Sequence, residues 1–481
     1  MWKGEYHVNE INNLIYRNGL DIDSYDLFKF NESKYVFETA LKILNTKLDI
    51  IKSEYDREKV HSDIQKTTSR IKSIESISKK LEKQGLEFTL DNIQATLNDV
   101  VGARIVCLTE TDVACIVEMI RRIPSLKIIN EKDYITNPKE SGYRSYHIIV
   151  EIPVPLGNGT IVPIRGEIQI RTLLMDAWSS LEHEIIYKNK DCTKESEKSL
   201  KEYSYALSFL EREMESIRRQ ELDRQEEHPV EMRKIAPKEL RKFKDRLYIY
   251  KLAGEILQTN IDIVKAEYER DATHSDIQYT KCRIKEINSI DTKLAQTDKA
   301  FTIDNIKENI KDVVAARVVC LDIDDVYKFV ELFKSYPGIK IVEEKDYIAN
   351  PKESGYRAYH IIVDIPVELS TGVETVRCEV QFRTVLMDAW SSLEHETIYK
   401  NIASSDEAKR SLKDYSSTLA TMDRSMVNIK RTELENLSKV VQAENEAKLN
   451  GVQRIDLTSV DGVIQPSRDV KVKSLTPKRE Q

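Results

Sequence analysis

The chain has 481 residues, 40% hydrophobic and 32% charged, with a formal net charge of −7. Such a length suggests two to three domains. The acidic balance excludes a globally basic nucleic-acid binder, so any nucleotide or nucleic acid must be met by a local basic patch. None of the six cysteines forms a C-x-x-C pair, no basic-then-apolar leader opens the chain, and no apolar run approaches the ~20 residues of a membrane span. A soluble cytoplasmic protein of a reducing compartment, without a zinc knuckle or membrane partner, is expected.

In chain order, a charged helical region carries "LDIIKSEYDR" (48–57) and leads to "RIKSIESISKKLEKQG" from residue 70. Read as helix, this stretch puts Lys72, Ser76 and Lys80 at i, i+4 and i+8 on one face, with Arg70 about 80° away. Such a face is ordinarily solvated, but several cations on one face also match several phosphate oxygens. "ARIVCL" is a predicted strand, preceded by Asp99. "DVACIVEMIRRI" is a helix and "LKIIN" a strand.

"EKDYITNPKESGYRSYH" (131–147) is turn-forming and supplies Lys132, Asp133, Tyr134, Lys139, Tyr143, Arg144 and His147. A tyrosine in a basic loop can stack on a nucleobase. "YHIIVEIPV" and "RGEIQIRT" follow as strands. In the second, Ile168 and Ile170 point one way and Glu167, Gln169 and Arg171 the other. Alone this is an ordinary half-exposed strand. Should Asp99 approach Glu167, the two carboxylates make a hard-cation site of the kind magnesium shares with substrate phosphates. Helices through "MDAWSSLEHEIIYK" and "SLKEYSYALSFLEREMESIRR" complete an α+β layer fold.

Nearly all of this occurs twice. "DVVGARIVCL" (99–108) matches "DVVAARVVCL" (312–321), and "EIQIRTLLMDAWSSLEHEIIYKN" (167–189) matches "EVQFRTVLMDAWSSLEHETIYKN" (379–401). The offset is 213 early (312 − 99) and 212 late (379 − 167), which is a duplicated domain rather than a solenoid repeat. We place copy one at 1–230, copy two at 235–442 and a disordered tail at 443–481; "EEHPVEMRKIAPKEL" reads as the linker. Drift between the copies is uneven: 23 of 28 positions are identical from 127 to 154 against 340 to 367, but only 13 of 26 from 70 to 95 against 283 to 308. A solvated loop is ordinarily free to vary, so the retained Tyr, Lys, Arg and His argue for a role.

"RIKSIES", "DVVGARIV", "EKDYITNPKESGYRSYH" and "EIQIRT…MDAWSSLEHEIIYK", in that order, resemble the synthetase domain of the RelA/SpoT family, above all the small alarmone synthetases. The resemblance implies a nucleotidyltransferase-like mixed sheet flanked by helices, in two tandem copies. It implies transfer of the β,γ-pyrophosphate of ATP to the 3′-hydroxyl of GDP or GTP, with Mg2+. Carried over to copy one, Asp99 and Glu167 would hold the metal and Glu167 would also take the hydroxyl proton. Arg70, Lys72, Ser76, Lys80 and Arg104 would meet ATP. Lys132, Lys139, Tyr143, His147, Gln169 and Asp176 would meet the acceptor, Tyr143 by stacking on guanine.

In copy two the same roles fall to Asp312 and Glu379 (metal and catalysis), to Arg283, Lys285, Ser289, Lys293 and Arg317 (ATP), and to Lys345, Lys352, Tyr356, His360, Gln381 and Asp388 (acceptor). Asp176 and Asp388 stand where many small synthetases carry Asn; a carboxylate there could accept from guanine N1–H and N2–H₂. Copy two has Glu286 for Ser73 and Gln296 for Lys83. A carboxylate beside the triphosphate grip weakens ATP binding, so copy one is the expected better catalyst. Toxin-like transfer to the 3′ end of tRNA, or a non-catalytic tandem nucleotide-binding module, are the alternatives. An internal pseudo-dimer or a homo-oligomer is the expected assembly.

Overall fold

The computed structural model describes residues 22–58, 64–187, 193–227, 235–271, 276–370, 372–395, 397 and 404–449. It contains two five-stranded mixed sheets, ordered β1-β2-β5-β4-β3 and β6-β7-β10-β9-β8. The first is built from β1 (Ile64–Ile71), β2 (Val101–Cys107), β3 (Lys127–Asp133), β4 (Tyr146–Pro155) and β5 (Ile161–Thr172). The second is built from β6 (Ile277–Ile284), β7 (Val314–Cys320), β8 (Lys340–Asp346), β9 (Tyr359–Leu369) and β10 (Gly372–Thr384). In each, only the central β2–β5 or β7–β10 pair is parallel.

Alternation along the strands divides each sheet into an apolar and a polar face. Ile105, Ile148, Val150, Ile168 and Ile170 are buried in one core with helices α1 (Ser24–Glu58) and α4 (Glu110–Arg121). On the other face the register lines up Thr68, Arg104, Gln169, His147 and Lys132 in one row across all five strands. The second sheet repeats the row as Lys281, Arg317, Gln381, His360 and Lys345.

One expected element is corrected. Residues 70–80 are not one helix: β1 runs to Ile71, and helix α2 (Ile74–Glu82) begins only after the Ser73 side chain accepts from the Ser76 N–H. The β-branched pair Thr67–Thr68 favours the strand, and Ser at the cap position starts the helix. Arg70 is therefore a strand residue and Lys72 a turn residue. Copy two has the same break, β6 ending at Ile284 and α8 (Ile287–Ala295) starting after Glu286, which makes no side-chain cap bond.

The two copies pack on each other. Helix α5 (Leu173–Glu182) meets α11 (Val385–Glu394), and α6 (Lys194–Glu227) meets α12 (Asp406–Leu449). One buried apolar cluster contains Leu174, Trp178 and Leu181 of the first copy with Leu386, Trp390 and Leu393 of the second. Glu433 accepts from Thr193 and Ser196, while Glu221 accepts from Ser405. These are equivalent contacts, since 433 − 221 and 405 − 193 both equal 212. The Lys66 ammonium lies 4.6 Å from the centre of the Tyr279 ring across the same junction. Helix α12 reaches past residue 442; residues 450–481 of the expected tail lie outside the described residues. No helix among the described residues is long and apolar enough to cross a membrane.

Candidate active site

The polar face of the first sheet floors a cavity of about 170 Å³ whose lining includes Arg70, Lys72, Asp99, Arg104, Glu167 and Gln169. The strand-turn-helix break places the cations. Lys72 Nζ is 2.7 Å from Asp99 Oδ2, and Lys80 Nζ, from α2, is 2.9 Å from Asp99 Oδ1. Burial alone would raise the Asp99 pKa, but the two lysines overcome it and hold the carboxyl below its ordinary value. Gly102 lies on the cavity floor beside Arg70; a methyl there would come no nearer than 3.9 Å to a neighbour, the Arg70 carbonyl oxygen. Copy two has Ala315 at that place and Lys281 at that of Thr68.

Glu167 is the end of a directed chain of donors. Arg171 Nη2 donates to Tyr143 Oη at 2.6 Å and to Gln169 Oε1 at 2.7 Å. Tyr143 Oη lies 2.8 Å from His147 Nε2, and His147 Nδ1 lies 3.0 Å from Glu167 Oε1. Gln169 Nε2 donates to Glu167 Oε2 at 2.7 Å. With the Tyr143 oxygen already accepting from Arg171, its proton goes to Nε2, and the His147 Nδ1–H faces the carboxylate. Burial would raise the Glu167 pKa; His147 and Gln169 outweigh it, so the carboxylate stays ionised. Copy two repeats the chain through Arg383, Tyr356, His360, Gln381 and Glu379, with Glu379 held at about 2 by His360 and Gln381 against its burial.

The loop around Gly142 is fixed from α6. Gly142 (φ +95°) packs so closely that a Cβ would meet Ser204 Cβ at 2.8 Å, and Ser204 Oγ donates to the Gly142 carbonyl. Only glycine suits that turn. Tyr143 is buried, and Lys139 Nζ lies 4.6 Å from its ring centre and 4.9 Å from that of Tyr134. Any base that stacks on that face must displace the ammonium. Lys132 is brought beside His147 by register.

In copy two, Lys293, Asp312, Lys345, Lys352, His360 and Glu379 line one cavity of about 260 Å³. Lys285 and Lys293 hold Asp312 at 2.6 and 3.0 Å. Arg283 is exposed on β6, and its pKa is lowered by partial desolvation and then by Arg317; the opposing charges include Glu286. Lys311, Glu343 and Tyr347 also line this cavity and were not foreseen. Copy one has Asn98, Asn130 and Tyr134 at those places, so the first two carry no repeated signal.

Ser76, Ser289, Asp176 and Asp388 are among the predicted residues that do not line these cavities. Ser76 is tied to the start of α2, its hydroxyl 2.8 Å from that of Ser73, and Ser289 lies at the equivalent place in α8. Asp176 pairs with Arg104 at 2.9 Å and lies 3.5 Å from Arg171. Asp388 is 2% exposed and receives Arg317, Arg383 and the Tyr279 hydroxyl, which leaves it no free edge for an acceptor base. Its pairing joins residues 71 to 109 positions apart in two cases, which no local pattern reveals.

The model of the region found in RelA / SpoT proteins matches residues 69–192 and again 282–404. The chain belongs to the RelA/SpoT family. It is 41% identical over 192 residues to GTP pyrophosphokinase YwaC of Bacillus subtilis, covering 39% of this chain and 90% of that one. It is 35% identical over 182 residues to GTP pyrophosphokinase YjbM of the same organism, covering 38% and 85%. Among solved structures, the small alarmone synthetase 1 from Bacillus subtilis bound to its product pppGpp is 33% identical, covering 40% of this chain and 97% of that one with a TM-score of 0.37. A GTP pyrophosphokinase family protein from Streptococcus pneumoniae is 36% identical, covering 41% and 96% with a TM-score of 0.38. Each of these matches is about the length of one copy.

Proposed function

We propose that this chain transfers the β,γ-pyrophosphate of ATP to the 3′-hydroxyl of GDP or GTP, with one synthetase unit in 1–230 and a second in 235–442. The observation that carries the reading is a single cavity in which two ionised carboxylates, Asp99 and Glu167, face Arg70, Lys72 and Arg104. In the reaction the 3′-oxygen bonds to the β-phosphorus and the bond from that phosphorus to the α,β-bridging oxygen breaks. AMP leaves with that oxygen, and the hydroxyl proton passes to Glu167. Little covalent chemistry is asked of the protein, so positioning and charge supply the acceleration.

The residues fit magnesium. Asp99 Oδ1 is buried and accepts no hydrogen bond, although the Lys80 ammonium is near. Two carboxylates are what magnesium takes when substrate phosphates complete its shell. Asp99 and Glu167, or Asp312 and Glu379, would hold it, and it would neutralise charge on the transferred phosphates. Lys72 and Lys80, which pair with Asp99, would turn to the phosphates. Arg70 and Arg104 would grip ATP, and Lys132, Lys139 and His147 the acceptor phosphates and ribose.

Copy one is the better catalyst in this reading. Glu286 bears on Arg283 in copy two, and Ala315 replaces the open Gly102. The packed copies act as an internal pseudo-dimer. The test is label transfer from γ-labelled ATP with magnesium to GMP, GDP, GTP and deacylated tRNA. Label on GDP or GTP is expected. Label confined to tRNA, or to no acceptor, would refute the reading.

A further inference from the structure

The acceptor loop faces a carboxylate that neither the motif reading nor the proton chain uses. Trp178 on α5 meets the Tyr143 ring edge-on, with centroids 6.5 Å apart. Glu182 follows Trp178 by four residues and so projects from the same helix face toward the same loop. The groups that favour its charged form include Ser141 and Lys139, the cation that lies over the Tyr143 ring. Burial pushes this carboxyl above its ordinary value, as expected of an acceptor with too few donors.

Copy two repeats the aromatic pair, the lysine and the carboxylate. Trp390 and Tyr356 are 6.5 Å apart, Lys352 lies 4.8 Å from the Tyr356 ring centre, and Glu394 is attracted first to Lys352. Its carboxyl is also raised by burial. Asp176 and Asp388, the carboxylates that the sequence offers for base recognition, are instead engaged by arginines.

We propose that Glu182, and Glu394 in copy two, reads the Watson–Crick edge of a guanine stacked on Tyr143 or Tyr356. This rests on the transfer reading above. The Lys139 ammonium lies over the ring and Glu182 balances it. An entering base displaces the ammonium toward the acceptor phosphates and offers Glu182 two adjacent donors, N1–H and N2–H₂. Adenine presents a lone pair at N1 and would be repelled by the same carboxylate. Glu182 thus sets which base is accepted, while the donor cavity and Glu167 carry the chemistry.

The test uses the full chain and the double variant Glu182→Gln/Glu394→Gln, so that either copy reports. Calorimetry measures binding of GDP and of inosine diphosphate, which lacks only the N2 amine. Steady-state transfer to both acceptors is measured in parallel. The wild type is expected to favour GDP by about tenfold, the worth of one hydrogen bond to a charged group. In the variant that preference falls to within about twofold, through loss of GDP affinity and a raised KM, with kcat at saturation largely kept. A damaged fold would weaken both acceptors alike and leave the ratio unchanged. An unchanged ratio, or a wild type indifferent to the amine, overturns the proposal. A preference for GDP that the variant abolishes, without any transferred label, supports base reading and overturns the transfer reading alone.

Discussion

At the residue scale the site is a set of directed hydrogen bonds ending on one carboxylate. The Tyr143 hydroxyl is central: it accepts from Arg171 and faces His147 Nε2. Tyr143→Phe keeps the ring but leaves a buried guanidinium and an imidazole without that partner. Each loss of this kind costs about 1–3 kcal/mol. We expect kcat to fall roughly 10- to 100-fold while the acceptor KM stays within about threefold, as kinetics over acceptor concentration would show. An acceptor KM that rose more than kcat fell would mean that the hydroxyl, not the ring, binds the base. The residues of this chain were legible because the motif repeats and its side chains alternate along β5. The engagement of Asp176 by Arg104 was not, because the two are 72 positions apart and meet only after β2 and α5 are assembled. Glu182 was passed over because it sits inside an apolar helical stretch that reads as core.

At the element scale the clearest departure from expectation is the break at Ser73. A continuous helix over 70–80 would put Lys72 and Lys80 two turns apart on one face. The strand-turn-helix instead wraps them around Asp99, so the same residues converge by a different route. The i, i+4, i+8 spacing singled out two cations that do meet at Asp99, but through a β-branched strand end and a serine cap rather than one helix face.

A second element contact joins α6 to the loop of residues 134–145. Glu211 is buried and lies 3.3 Å from Arg144, which also pairs with Glu110. Burial, only partly offset by Arg144, pushes its carboxyl up to about 7. Between its unfolded value near 4.5 and 7, the native state holds a proton that the unfolded chain has released. Stability in that window therefore falls as pH rises. Glu211→Gln mimics the protonated form, so its stability relative to wild type should improve from pH 4.5 to 7 and level off above. The gain is at most about 3 kcal/mol. Denaturant unfolding at pH 4.5, 6 and 8 checks this. A difference that is flat with pH would place the Glu211 carboxyl in the ordinary range.

At the scale of the whole molecule, the duplication was plain in the sequence, but the packing of the copies was not. The residues that join them, such as Leu181 and Leu393, read equally well as the core of a single domain. Because one apolar cluster serves both copies, we expect the described units to unfold together in one transition. Leu181→Ala, at a position 2% exposed, should destabilise that transition by about 2–5 kcal/mol. Two separate transitions, with only one moved, would mean that the copies are independent.

The pseudo-two-fold arrangement also poses the question of division of labour. One copy keeps an open Gly102 and a Ser73 cap; the other carries Ala315 and Glu286. The most direct test is transfer of label from γ-labelled ATP to GDP with magnesium, by wild type, Glu167→Gln and Glu379→Gln chains. The account predicts label on GDP that is lost with Glu167→Gln and largely kept with Glu379→Gln. Label kept with Glu167→Gln and lost with Glu379→Gln would contradict it.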